Sequence, residues 1–186
     1  MPSTLTLHRH NRGIARSWND GIIESCLDGS DLTILVNDDI TFRPNGFDDF
    51  VDFINERPDF GLAFLLGFEA DGSPHHGEVR SQDFACFAFG RSAFTEVGAF
   101  DENFFPAYSE DIDYGHRARR LGLPIDVDAR VHVEHARNRT ARCVPALREQ
   151  IERFKAANSA YFRRSGAVIP IPSRSSARSM TMTVPW

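Results

Sequence analysis

Cysteine is scarce in this chain. Cys26, Cys86 and Cys143 stand far apart, and none belongs to a CxxC pair. That excludes a disulfide framework and the usual zinc spacings, and it fits buried thiols in a reducing cytosol. Long apolar runs are also missing. None approaches the roughly 20 residues that span a bilayer, and the N-terminus lacks the apolar core of a signal peptide. A cytoplasmic protein with no membrane span is therefore expected. Positive charge is short: 21 Lys and Arg face 26 Asp and Glu, for a net charge of −5. A mildly acidic chain is a poor default nucleic-acid binder. No GxGxxG or GxxxxGK phosphate loop occurs, and no GxSxG nucleophile elbow. Tyrosine (3) and tryptophan (2) are few, whereas phenylalanine occurs 16 times, many between Phe42 and Phe105. A phenylalanine-rich core or groove is expected there.

With 186 residues, 41% of them hydrophobic, the chain can bury about 70% of its unfolded surface without a metal or disulfide staple. Residues Thr4–His8 alternate like a strand. The spacing of Ile14, Trp18, Ile22 and Leu27 predicts a helix over 14–27, and the run Leu32–Val36 reads as a strand buried on both faces. A helix follows from Pro44-Asn45-Gly46 to about Glu56, with Phe47, Phe50, Val51 and Ile54 at helical spacing. A strand is then expected over Phe60–Leu66, a polar loop over Asp71–Gln82, a strand over Phe84–Phe89, and a short helix from Arg91 to Val97 closed by Gly98. After an acidic, aromatic loop, Ser109 can cap a helix over Glu110–Leu121 that Gly122 ends. Strands over Ile125–Val127 and Arg130–Glu134 precede a long helix from Pro145, with Leu147, Ile151, Phe154 and Tyr161 on one stripe. Residues 1–168 are read as one domain and 169–186 as a flexible tail. The alternation predicts an α/β fold with a mixed, mainly parallel sheet flanked by helices, and ligands beyond the carboxyl ends of its strands.

That end of the strand Leu32–Val36 carries Asn37-Asp38-Asp39. Two adjacent carboxylates there suit Mg²⁺ or Mn²⁺ bridging to a diphosphate, and the plain alternative is an acidic turn leading into Thr41. In Glu110-Asp111-Ile112-Asp113 the acidic residues fit a helix N-terminus through its dipole. They also fit a general base whose pKa a neighbouring carboxylate raises. His132 and His135 fall on opposite faces of a strand. His75-His76 read as solvated, and Arg117–Arg120 as a solvated helix face.

Taken in order, these pieces resemble the family 2 inverting glycosyltransferases of the GT-A fold. The resemblance runs from about Leu5 to Gly166. It is carried by Asn11-Arg12-Gly13 with Asn19-Asp20-Gly21, Val36-Asn37-Asp38-Asp39, Gly98-Ala99-Phe100-Asp101-Glu102-Asn103, Glu110-Asp111-Ile112-Asp113-Tyr114, Arg117, His135 and Tyr161–Gly166. It implies a nucleotide-diphosphate-sugar donor contacted by Asn11, Gly13, Asn19, Asn37, Asp38 and Asp39. Asn37 stands at the first position of a DxD-type motif, which removes one charge. It further implies Mn²⁺ or Mg²⁺ held by Asp39 and His135, and Asp111 as catalytic base with Glu110 beside it at the acceptor site. The acceptor is open among glycan, protein, lipid and modified base. The family places a strand–helix–strand nucleotide-binding unit before the Asn-x-Gly segment, where this chain has only Met1–His10, so an N-terminally shortened form is expected. A non-catalytic or partner-dependent domain is the alternative that follows from this, and a nucleotidyltransferase is a third reading. A homodimer through an exposed sheet edge at Thr4–His8 is also expected.

Overall fold

The computed structural model describes residues 8–57, 59–68, 84–135 and 145–165. Helix α1 spans Ile14–Leu27, strand β1 Leu32–Val36, β2 Ile40–Phe42, α2 Gly46–Asn55, β3 Leu62–Phe68 and β4 Cys86–Gly90. Helix α3 spans Arg91–Val97, α4 Glu110–Leu121, strand β5 Ile125–His135 and α5 Pro145–Ser165. Gly98 and Gly122 close α3 and α4 at positive φ, where a side chain is disfavoured. The expected strand at 4–8 lies outside the described residues except for His8, and His8–His10 form no strand. The loop Asp71–Gln82, His75-His76, Cys143 and the tail 169–186 also lie outside them. Among the described residues no helix is long and apolar enough to cross a membrane.

The five strands form one α/β sheet in the order β1-β4-β3-β5-β2. It is mixed, and the expectation of a mainly parallel sheet is corrected. Among the described residues only β3 and β5 are parallel neighbours; β1–β4, β3–β4 and β2–β5 are antiparallel. Strands β1, β3 and β5 do point the same way, as the alternation suggests. β4 is inserted between β1 and β3 and runs against both, and the hydrophobic pattern of a short run carries no direction. Among the described residues β1 lies at the edge of the sheet with partly exposed residues, and is not a strand buried on both faces.

The phenylalanines form two packed layers. On one face of the sheet Phe64, Phe84, Phe87, Phe89 and Phe100 pack with Trp18 and Ile22 of α1, Ala93 of α3 and Tyr114 of α4. On the other, Phe50, Phe53 and Ile54 of α2 cover Ala63, Leu65, Ala88 and Val133. Each fully buried Phe is worth roughly 1.5–3 kcal/mol, so these two layers hold the sheet between its helices. Leu27, expected on the buried stripe of α1, is 76% exposed because it sits at the helix end beyond the sheet. Phe47 is exposed as well.

The two strands expected between 125 and 134 are one. Leu65 pairs with Asp128 and the next residue, Leu66, pairs with His132, so residues 129–131 bulge out of the ladder. Buried Asp128 closes the bulge by accepting hydrogen bonds from the Arg130 backbone N–H (2.8 Å) and Nε (3.1 Å). Ile125 and Val127 pack with the α1 layer, whereas Val131 and Val133 belong to the α2 layer.

Arg117 corrects a second expectation. Arg119 and Arg120 are exposed, but Arg117 is folded inward. Its Nε donates to buried Asp113 at 2.8 Å, and its terminal nitrogens donate to the carbonyls of Val97 (3.0 Å) and Ala99 (3.1 Å). It thereby ties α4 to the end of α3. Arg117→Ala leaves the Asp113 carboxylate buried without its cation. A loss of about 3–5 kcal/mol is expected, read as a fall in Tm of roughly 10 °C by calorimetry. A Tm within 2 °C of wild type would refute that role.

Candidate functional site

The carboxyl ends of β1, β3 and β5 lie at one end of the sheet, and the turn Asn37-Asp38-Asp39 leaves β1 there. The Asn37 N–H donates to the Ala85 carbonyl at 2.8 Å, which ties the turn to the residue before β4. Asp38 is exposed. Asp39 precedes β2, whose first residue Ile40 pairs with His135 at the end of β5. That register brings His135 Nε2 to 3.1 Å from Asp39 Oδ1, with both side chains half-buried. Among the described residues no group of three or more His, Cys, Asp and Glu converges, so a cation here has two protein side chains to bind. One carboxylate oxygen and one imidazole nitrogen suit Mn²⁺ better than Mg²⁺, which prefers oxygen alone.

Asp38 lines a cleft of about 940 Å³ together with Asn11, Gly13, Ile14 and Ser17 from the start of α1. The segment Phe105–Tyr108 and, from α5, Gln150, Ile151 and Phe154 complete its walls. The entry to α1 is built by its sequence. The Asn11 side-chain oxygen accepts from the Gly13 N–H at 2.9 Å in an Asx turn. Gly13 has φ +84°, and a Cβ there would come within 3.1 Å of the Phe105 ring. The next N–H, from Ile14, donates to the Pro106 carbonyl at 2.8 Å. Glycine at 13 thus lets the helix start dock directly on the opposite wall. Phe105 is 46% exposed at this wall, in contrast to the buried phenylalanines of the sheet layers.

Asn19 is placed elsewhere. It is buried within α1, where its amide donates to the Phe100 carbonyl (3.0 Å) and accepts from the Phe100 N–H (2.9 Å). The cleft residues of α5 were legible only as a packing stripe, because Ile151 and Phe154 have the same helical spacing in a core as in a cleft wall. Phe105 ends the stretch expected to form a phenylalanine-rich core or groove, and it lines the cleft; nothing local marks Pro106–Tyr108 as a wall. At its far end Lys155 holds its ammonium 4.9 Å from the centre of the Tyr108 ring and pairs with Glu152 at 2.9 Å.

Glu110 and Asp111 start α4 just after this wall. Ser109, expected to cap the helix, makes no side-chain capping bond; it has φ +75° and only its carbonyl accepts, from the Asp113 N–H. The two carboxyls differ sharply. Asp111 is half-buried, with Oδ1 2.8 Å from the Ile112 N–H. Glu110 is 5% exposed, and among the described residues its Oε2 has no hydrogen-bond partner. Burial first, and then the negative charge of Asp111, push the Glu110 carboxyl up to about 8, against the opposing effect of backbone N–H groups of Glu110 and Tyr108. At neutral pH Glu110 therefore keeps its proton while Asp111 carries the charge, a division typical of paired groups with separate tasks.

No family model matches the chain. A stretch of 38 residues, 20% of this chain, is 55% identical to a galactofuranosyl glycosyltransferase of Leishmania donovani and covers 9% of that protein's length.

Proposed function

We propose that this chain is an inverting glycosyltransferase of GT-A type that moves a sugar from a nucleotide-diphosphate donor to an acceptor hydroxyl. The observation that carries the reading is the contact between Asp39 and His135 at the strand ends, next to a cleft that Asp38 lines. The short match to a glycosyltransferase supports the same activity class. In this reading Asp38 and the start of α1 meet the donor, and Phe105, Tyr108 and Phe154 offer apolar faces to a sugar ring. Asp111 takes the proton of the attacking hydroxyl, and protonated Glu110 donates a hydrogen bond that orients it. Asp39 and His135 would hold Mn²⁺, which when bound neutralises charge on the leaving diphosphate.

The test is release of the nucleoside diphosphate from nucleotide-linked galactofuranose and galactopyranose by the purified chain with Mn²⁺. Mn²⁺ is expected to raise Tm by a few degrees, an effect absent in Asp39→Ala and His135→Ala, and EDTA is expected to abolish it. An equal Mn²⁺ shift in both variants would remove the ion from this pair. Absence of donor binding and turnover with every nucleotide sugar would sink the activity.

A further inference from the structure

The wall that ends in Glu110 is held in an unusual backbone. Tyr108 and Ser109 both have positive φ, +81° and +75°, a conformation that residues with side chains rarely adopt, and here two do so in succession. Neither is glycine, and the Ser109 hydroxyl makes no cap that would favour the turn. The turn is instead held from outside by α5. Asn158 is 5% exposed, on the buried side of that helix. Its Nδ2 donates to the Ala107 carbonyl at 2.8 Å and the Tyr108 carbonyl at 3.1 Å, with the Phe105 carbonyl at 3.4 Å. An amide has two N–H donors, so one side chain is shared among three carbonyls of the wall. Tyr161, one turn further along α5, anchors the preceding segment separately: its hydroxyl donates to Asp101 at 2.8 Å, and its ring meets Phe104 edge-on.

We propose that Asn158 is a positioning residue of the candidate site, fixing the carbonyls of the 105–108 wall so that the left-handed Tyr108–Ser109 turn delivers Glu110 into its buried place. The functional weight of this rests on the reading of Glu110 and Asp111 as acceptor-side groups, but the contact itself is a property of the free protein. When Asn158 loses its donor, the carbonyls have water as their alternative partner. The turn then opens and solvent reaches the Glu110 carboxyl. The charged groups at this corner are Asp111 beside Glu110 on α4, and Lys155 with Glu152 on α5.

The experiment follows the Glu110 carboxyl by ¹³C NMR titration in the full chain, with Glu110→Gln assigning the signal. Asn158→Leu keeps volume without a donor, and Asn158→Ala removes both. In each, the Glu110 midpoint is expected to fall by about one pH unit or more, because burial is the largest cause of its elevation. Tyr161→Phe, which loosens α5 without touching this turn, is expected to leave the midpoint in place. A merely structural Asn158 would lower Tm and leave the midpoint near that of the wild type, and that result overturns the proposal. Should the Leu and Ala chains fail to fold, the neutral, flexible Asn158→Met, which also lacks a donor, is read by the same criterion. If wild type transfers no sugar, the functional reading falls while the titration still decides the positioning role.

Discussion

Asp111→Asn is expected to lower glycosyl transfer by about a thousandfold, with the fold retained. The asparagine oxygen can still accept from the Ile112 N–H, and the half-buried position tolerates an isosteric amide, so Tm changes little. What is lost is the charge that, in the proposed reaction, takes the proton. The same substitution carries a second signature. The Asp111 charge is one cause of the elevation of Glu110, so removing it must bring the Glu110 titration down from about 8. Transfer within tenfold of wild type would end the assignment of Asp111 as base. A Glu110 midpoint that does not move would show that the two carboxyls are uncoupled.

Glu110→Gln is expected to do the opposite for stability. In the folded chain Glu110 holds its proton up to about pH 8, while in the unfolded chain it ionises near 4.5. Between these values the native state binds more protons than the unfolded state, so stability falls as pH rises. The contribution is complete below 4.5 and lost once pH has passed about 8. Glutamine never ionises. The variant should come within about 1 kcal/mol of wild type at pH 5 and exceed it at pH 9, by on the order of 4 kcal/mol or roughly 10 °C in Tm. Parallel Tm curves for the two proteins from pH 5 to 9 would contradict the burial argument. For activity, glutamine keeps a neutral donor. Wild-type kcat is therefore expected to decline above about pH 8, and the Gln variant to lose that alkaline limb while staying within about tenfold of wild type at pH 7.

Much of the element order is legible in the residues. The bounds of α1, β1, α3 and α4 follow from helical spacing, a β-branched run and closing glycines, because these signals are local. Strand direction is not local, and the antiparallel insertion of β4 shows what period alone misses. The bulge in β5 is similar: two short strand signals separated by Asp128-Ala129 are one strand once Asp128 finds Arg130. At the candidate site, the acidic turn after β1 and the Asn-x-Gly helix entry were visible as chemistry-bearing types at a strand end. Of the wall opposite only Phe105 was, as the end of the phenylalanine-rich stretch. Its backbone is held by Asn158, about fifty residues along the chain, so no pattern within 105–109 announces it. Arg117 looked like one charge among three and proved to be tied to carbonyls of another element.

The placement of Lys155 over the Tyr108 ring has a practical use. The chain has 20 arginines but a single lysine. An amine-directed fluorophore therefore has one side-chain target, and it stands against a residue of the cleft wall. Labelled there, the protein reports on what enters the cleft without an engineered cysteine and without knowing the occupant beforehand. A library of nucleotide sugars and acceptor alcohols can then be sorted by the emission of one native position.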